Sequence, residues 1–360
     1  MLIHCAFEFA GSDTAAIYSR DWGEVIIKSC EISKSGSFGY YESFIRAGRQ
    51  LPISAISNCA FRDNDNVPLR VSFSSVGEID NNVFENNGLQ VIEVIASARR
   101  ISGIIVNPNI PYWFIAKRYS SPDFRFCVQS GSNDSCVTLS IAPGTKFFFE
   151  DSTVLIVGGY YNRGKIVAQG NETDSIIFTA LDTTTGWQGI HIEPRNIADT
   201  SVFEYCRVDY AGQRVWGWAY GEAGGLMAMM HAPLVVKNST ISHSKRMGID
   251  LYFTSYGDLS TGAIIEGNSF VGNDSFHLKI PANDLRNLRN NIFLDNAIYV
   301  RGERINRSFS LDYQGAPFII SSNITVGQSG DTIVMVELNK DNCFKFMSNT
   351  EIMVGLNGGL

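Results

Sequence analysis

The side chains best placed for chemistry lie in the middle of the chain. In "HIE", His191 to Glu193, an imidazole and a carboxyl stand two residues apart, which on a strand puts both on one face. Such a pair suits proton transfer; it equally suits a plain polar outward face. A second group follows in "QRVWGWAYGEAGGLMAMMHAP", which holds Trp216, Trp218, Tyr220 and Glu222. Aromatic faces beside a carboxylate are what a sugar ring needs, the rings taking its C–H face and the carboxylate its hydroxyls. Tyr252, Tyr256 and Asp258 come next and are expected nearby. The competing use of the tryptophans is to cover an apolar edge.

Other chemistries find little support. His4 lies beside Cys5, His243 and His277 fall at variable positions, and His231 follows "LMAMM". No Ser-His-Asp spacing and no Gly-rich phosphate loop stand out. Seven cysteines occur without a CxxC pair, so no zinc site, and no other metal or cofactor, is expected. Cys127 and Cys136 flank "VQSGSNDS" and either close a small disulfide loop or remain free thiols. The net charge of −7 and the lack of a Lys/Arg run argue against a nucleic-acid partner. No apolar run reaches the roughly 18 residues of a membrane span. "MLIHCAFEFAG" does not read as a signal peptide.

What positions these residues is a repeat. "VIIKSCEISKSGSFGYYESF", from Val25, lies without gaps on "LVVKNSTISHSKRMGIDLYF", from Leu234, and "NNVFENNG", from Asn81, lies on "NNIFLDNA", from Asn290. The offset is 290 − 81 = 209. Flanking matches at offsets of 201 and 197 extend it to a super-repeat of about 200 residues. The expected division is 1–111, the end of one super-repeat; 112–315, a complete one; and 316–360, the start of another, in one continuous solenoid cut from a longer array.

Within each copy a shorter pattern recurs four times: apolar-x-x-small-x-apolar-x-x-small. The first small column reads Cys5, Cys30, Cys59, Asn82, then Cys206, Ser239, Asn268, Asn291. The second reads Ala10, Ser35, Asn64, Asn87, then Ala211, Ser244, Asn273, Asn296. Central apolar residues are spaced by 23 to 33, for example 84 − 61 and 241 − 208. Short runs such as "SVFEYCRVDY" and "GKIVAQG" alternate with period two and are rich in Val, Ile, Phe and Tyr. Helical solenoids would need a period near 3.6, which is missing. The remaining solution is an all-β, right-handed parallel β-helix of about a dozen coils, on the order of 60 Å long, with Asn/Ser/Cys ladders at the turns.

The segments "IDNNVFENNG" and "LRNNIFLDNA" resemble the parallel β-helix repeat signature of the pectin-lyase-like superfold. The block "LSIAPGTKFFFEDSTVLIVGG…GKIVAQGNETDSIIFTA…GWQGIHI", Leu139 to Ile192, is similar to a start-of-helix block of its secreted bacterial members. The resemblance covers essentially the whole chain and implies fold more than function. Its enzymes carry Asn-Thr-Asp, Gly-His-Gly, Arg-x-Pro-x-x-Arg or Asp-Pro-His-Glu elements, none of which occurs here. The expectation is therefore a non-catalytic extracellular or cell-surface module, a stalk or adhesin-like segment with a glycan as candidate partner. The alternative is a polysaccharide lyase or glycoside hydrolase with an unfamiliar site.

Overall fold

The computed structural model describes residues 1–20, 23–43, 53–116, 125–131, 135–159, 162–193, 199–213, 224–229, 232–252, 262–327 and 333–355. Its strands are short, mostly two to six residues, and every pairing between them is parallel. Three strands make one coil, and each strand pairs with those three before and three after it. The chain is an all-β parallel β-helix.

Alternation decides which side chains fill it. In Gly164–Gln169 the residues Ile166 and Ala168 are fully buried, while their neighbours lean outward. Repeated coil after coil, this fills one continuous interior with Ile, Val, Leu and Phe. Aromatic residues stack along it: Tyr112 on Phe147 at 5.6 Å, Phe147 on Phe178 at 5.1 Å, and Phe149 on Trp187 at 3.9 Å. Each fully buried ring contributes about 2–3 kcal/mol relative to exposure. Trp187 satisfies its one polar atom by donating Nε1–H to the Asp209 carbonyl at 3.0 Å.

Two bends per coil are built by asparagine, serine and cysteine. In the first column the Cys5 N–H donates to Cys30 Sγ, Cys30 N–H to Cys59 Sγ, and Cys59 N–H to Asn82 Oδ1 at 2.9 Å. The second copy repeats this through Cys206, Ser239, Asn268 and Asn291 at 2.9, 3.0 and 3.0 Å. The other column runs Ser35, Asn64, Asn87 and, in the second copy, Ser244 to Asn273; Asn296 Nδ2 reaches back to the Asn273 carbonyl. Cys30, Cys59, Asn82, Asn64, Asn87, Ser239, Asn268, Asn291 and Asn273 each answer a backbone N–H of the preceding coil's bend, so their burial carries little desolvation cost.

The left-handed conformation falls one residue earlier than the ladder. His4, Ser29, Asn58 and Asn81, then Phe9, Lys34, Asp63 and Asn86, have positive φ, as do Tyr205, Asn238, Asn290, Tyr210, His243 and Asp295. Gly267 and Gly272 complete the set. In an Asn-Asn pair the first residue therefore makes the bend and the second faces in. Asn82 and Asn87 serve through their amides, and Asn81 and Asn86 through their tolerance of positive φ.

Among the described residues the strands fall into seven sheets, here I to VII in chain order. Sheets I and II begin with Leu2–Ile3 and Ala6–Glu8 and have four strands each. Sheet III starts at Ala15–Arg20 and has eleven, sheet IV at Ala98–Arg99 with ten, and sheet V at Gly103–Ile105 with seven. Sheets VI and VII, starting at Arg304–Ile305 and Phe309–Leu311, are short. Ile26–Lys28 is the fourth strand, in sheet I; its repeat partner Leu234–Lys237 is the twenty-sixth, in sheet V. The shift of 26 − 4 = 22 strands is seven coils and one strand. Equivalent positions thus move one side round the helix between copies: sheet II goes to sheet III, and sheet III to sheet IV.

Where sheets I and II stop and IV and V begin, Arg99 fills the interior. It is fully buried, donates Nη1 to the Ser74 carbonyl at 2.6 Å and pairs Nη2 with Glu78 at 2.9 Å. A Cβ on Gly103 would lie 2.1 Å from its guanidinium, so any side chain there would displace the guanidinium. Cys127 and Cys136 are both free thiols, so they do not close a disulfide loop.

Candidate functional site

The outward face of sheet III carries a continuous row of large side chains. Register places Tyr18 beside Tyr41, Tyr41 beside Arg70, Arg70 beside Glu93, Glu93 beside Trp113 and Trp113 beside Phe148. Their chain neighbours Tyr40, Leu69, Ile92, Tyr112 and Phe147 point into the core, so strand alternation alone sends this row outward. The Tyr18 and Tyr41 rings are 5.5 Å apart, and Phe38 packs edge-on against Tyr41 at 5.0 Å. The Arg70 guanidinium lies over both Phe38 and Tyr41, 4.5 and 4.6 Å from their centroids, and pairs with Glu93. Arg70 is 3% exposed and Glu93 6%, unusual for charges on the outside of a solenoid. Tyr18 is 47% exposed, and Phe38, Tyr41, Trp113 and Phe148 are half-buried. At the far end Trp113 Nε1 is buried without a hydrogen-bond partner.

One side round, sheet IV presents the equivalent row: Ile156, His191, Met227, Asp250, Lys279 and Tyr299. The repeat relates the two rows residue by residue, since 250 − 41 and 279 − 70 are both 209 and 299 − 93 is 206. A buried cation occupies the middle of each. In the first copy it has aromatic Tyr41 before it and acidic Glu93 after; in the second, acidic Asp250 before and aromatic Tyr299 after. Lys279 Nζ lies 3.8 Å from Asp250 and 5.9 Å from the Tyr299 ring centroid.

His191 and Glu193 do share the outward face of Gly189–Glu193; His191 is buried and Glu193 half-buried. Burial pushes the His191 imidazole down to about 4 and the Glu193 carboxyl up to about 7, Arg125 opposing the latter. His191 Nε2 and Glu193 Oε1 have no hydrogen-bond partner. Elsewhere acids meet cations from neighbouring coils, as in Lys34–Glu8, Arg62–Glu85, Arg163–Asp199 and Lys237–Glu266 at 2.7 to 2.8 Å. Among the described residues no three His, Cys, Asp or Glu side chains gather as a metal site, and no helix is long and apolar enough to cross a membrane.

Trp216, Trp218, Tyr220, Glu222, Tyr256 and Asp258 lie outside the described residues. Tyr252 ends the strand Met247–Tyr252 of sheet IV. His277 is a structural residue, fully buried between Asn273 and the Leu294 carbonyl. The row Tyr18, Tyr41, Arg70, Glu93, Trp113 was not found by reading the sequence. The alignment at 209 that sets Arg70 on Lys279 was the signal that could have found it. In comparisons with family models, curated proteins and solved structures, nothing matches the chain.

Proposed function

We propose that the chain is a non-catalytic β-helix module of the pectin-lyase-like type, acting outside the cell as a stalk or adhesin-like segment. It holds an extended glycan along the outward face of sheet III. The aromatic row from Tyr18 to Phe148 carries this reading. Six adjacent strands give it a length of roughly 24 Å at one strand spacing per step. Its rings offer flat apolar faces, and the buried Arg70–Glu93 pair fixes the rings between which a sugar would lie. Trp216, Trp218, Tyr220 and Glu222 are proposed as further glycan contacts, as are Tyr252, Tyr256 and Asp258. Charges paired from coil to coil support a rod more than a catalytic centre. The one-side shift between copies would present related surfaces in different directions, which suits a display module.

The test is a polysaccharide panel with binding, reducing ends and unsaturated products read together. Binding without product is expected, with Tyr41→Ala or Trp113→Ala weakening it by about tenfold, roughly 1.4 kcal/mol. Affinity unchanged in both variants sinks the reading. A second reading, a polysaccharide lyase or glycoside hydrolase, draws on Glu193: a carboxyl protonated to near neutrality is what a general acid requires. It predicts product on one substrate and loss of that product in Glu193→Gln.

A further inference from the structure

We propose that His191, Met227 and Met229 form a site for a soft monovalent metal ion, the cuprous ion, on the outward face of sheet IV. Register sets Met227 directly beside His191 on the next strand, roughly 4.8 Å away. Met229 follows two residues along Gly224–Met229 and so shares Met227's face. The interior core takes Leu226 and Ala228 from this strand and leaves both methionines out. Yet each methionine is only 3% exposed, so two thioethers lie sheltered on an outer surface.

His191 supplies the second, independent observation. It is 6% exposed and its Nε2 has no hydrogen-bond partner. An orphaned buried polar atom is destabilising, and a ligand would relieve it. The Gln188 backbone hydrogen-bonds the ring, and because Nε2 has no partner that bond falls to Nδ1. This leaves the lone pair on Nε2 and fixes the ring, the arrangement found behind metal-ligating histidines. Two thioethers and one imidazole are neutral and soft. They match a d¹⁰ monovalent ion better than calcium, magnesium or manganese, which prefer carboxylates; the carboxyls on this face are Asp250, beside Met227 and 3.8 Å from Lys279 Nζ, and Glu193, two residues from His191. Cys127 lies in the same row but beyond Ile156, roughly 9.6 Å from His191, and is not part of the set.

The experiment uses the full reduced chain with methionine methyl groups labelled with carbon-13, and silver(I) as a redox-inert stand-in for the cuprous ion. The chain has eight methionines. One equivalent of silver(I) should shift two methyl resonances, those missing from Met227→Leu and Met229→Leu, and leave the other six in place. The His191 Nε2 nitrogen-15 signal should move with them, and folded His191→Gln should abolish both methyl shifts. In competition with a chromophoric cuprous chelator, Met227→Leu should lose at least tenfold in affinity. The seven cysteines are built-in competitors. If they take the first equivalent and Met227 and Met229 do not move, the site is overturned. It is equally overturned if the methyl groups shift while His191 Nε2 does not.

Discussion

Asn64 and Asn87 stand one coil apart, and Asn64 donates both its backbone N–H, at 3.2 Å, and its side-chain Nδ2, at 2.7 Å, to the single Oδ1 of Asn87. Asn64 Oδ1 in turn accepts from Ser35 N–H at 3.1 Å. Asn64→Ala strands the Ser35 N–H and takes the amide donor from the Ile32 carbonyl at 3.3 Å, while Asn87 Oδ1 keeps the backbone N–H; each stranded group costs about 1–3 kcal/mol. A loss of roughly 2–4 kcal/mol in urea unfolding is expected. Asn64→Ser should lose less, because a serine hydroxyl can accept a ladder N–H, as Ser239 does from Cys206 at 2.9 Å in the other column. Equal losses would show that the amide acts by volume and not by hydrogen bonding.

Arg70 and Glu93 are both nearly excluded from water, so the pair is costly to assemble and costlier to break. Arg70→Ala leaves a buried carboxylate alone and should destabilise by about 3–5 kcal/mol. Arg70→Met with Glu93→Leu removes both charges and keeps the volume, and should return to within about 1–2 kcal/mol of the parent. Denaturant melts of the single and double variants decide it; additive losses would deny the coupling.

The coil was legible in the sequence because its bends repeat by residue type: Asn82 and Asn291 fall in one column and Asn87 and Asn296 in the other, whatever the loops between do. The outward rows were less so. Alternation about Leu69 and Val71 does send Arg70 outward, but its burial against Phe38, Tyr41 and Glu93 depends on register among three coils, which no local pattern carries. Arg99 breaks the pattern outright, a guanidinium where the interior rule demands an apolar residue. The aromatic segment around Trp216 was conspicuous by composition. The row from Tyr18 to Phe148 was not, because its members are 20 to 35 residues apart, as from 93 to 113 and from 113 to 148.

Glu42 makes stability depend on pH in the alkaline direction. It is 1% exposed at the end of Phe38–Ser43, accepts from Ser72 N–H at 2.7 Å and from the Ser54 hydroxyl, and burial pushes its carboxyl up to about 7. Its folded pKa lies above the unfolded value, so the stability it contributes is fully present below about pH 4.5. That contribution is lost as pH rises through about 7. Glu42→Gln should gain about 3 kcal/mol on the parent between pH 4.5 and pH 8.5. Parallel urea curves at the two pH values, with no relative gain, would place the carboxyl in contact with water.

His277 works in the opposite direction, and its tautomer follows from the ladder. Asn273 Oδ1 accepts from Ser244 N–H at 3.0 Å, and its Nδ2 donates to the Ile241 carbonyl at 3.1 Å, so the amide cannot be turned round. The same Nδ2 lies 3.0 Å from His277 Nδ1, which must therefore accept, leaving Nε2–H to donate to the Leu294 carbonyl. A second ring proton would set two donors against each other at Nδ1, and burial already holds the imidazole below its ordinary pKa. Its contribution is present above about pH 6.5 and is lost as pH falls through the lower folded value. Nitrogen-15 spectra should show a neutral Nε2–H ring at pH 6, where a free histidine is mostly charged. His277→Gln should flatten the acid limb of the stability curve. A charged ring at pH 6 in the folded protein would mean that Asn273 is flipped and that its column is held together differently from Asn64's.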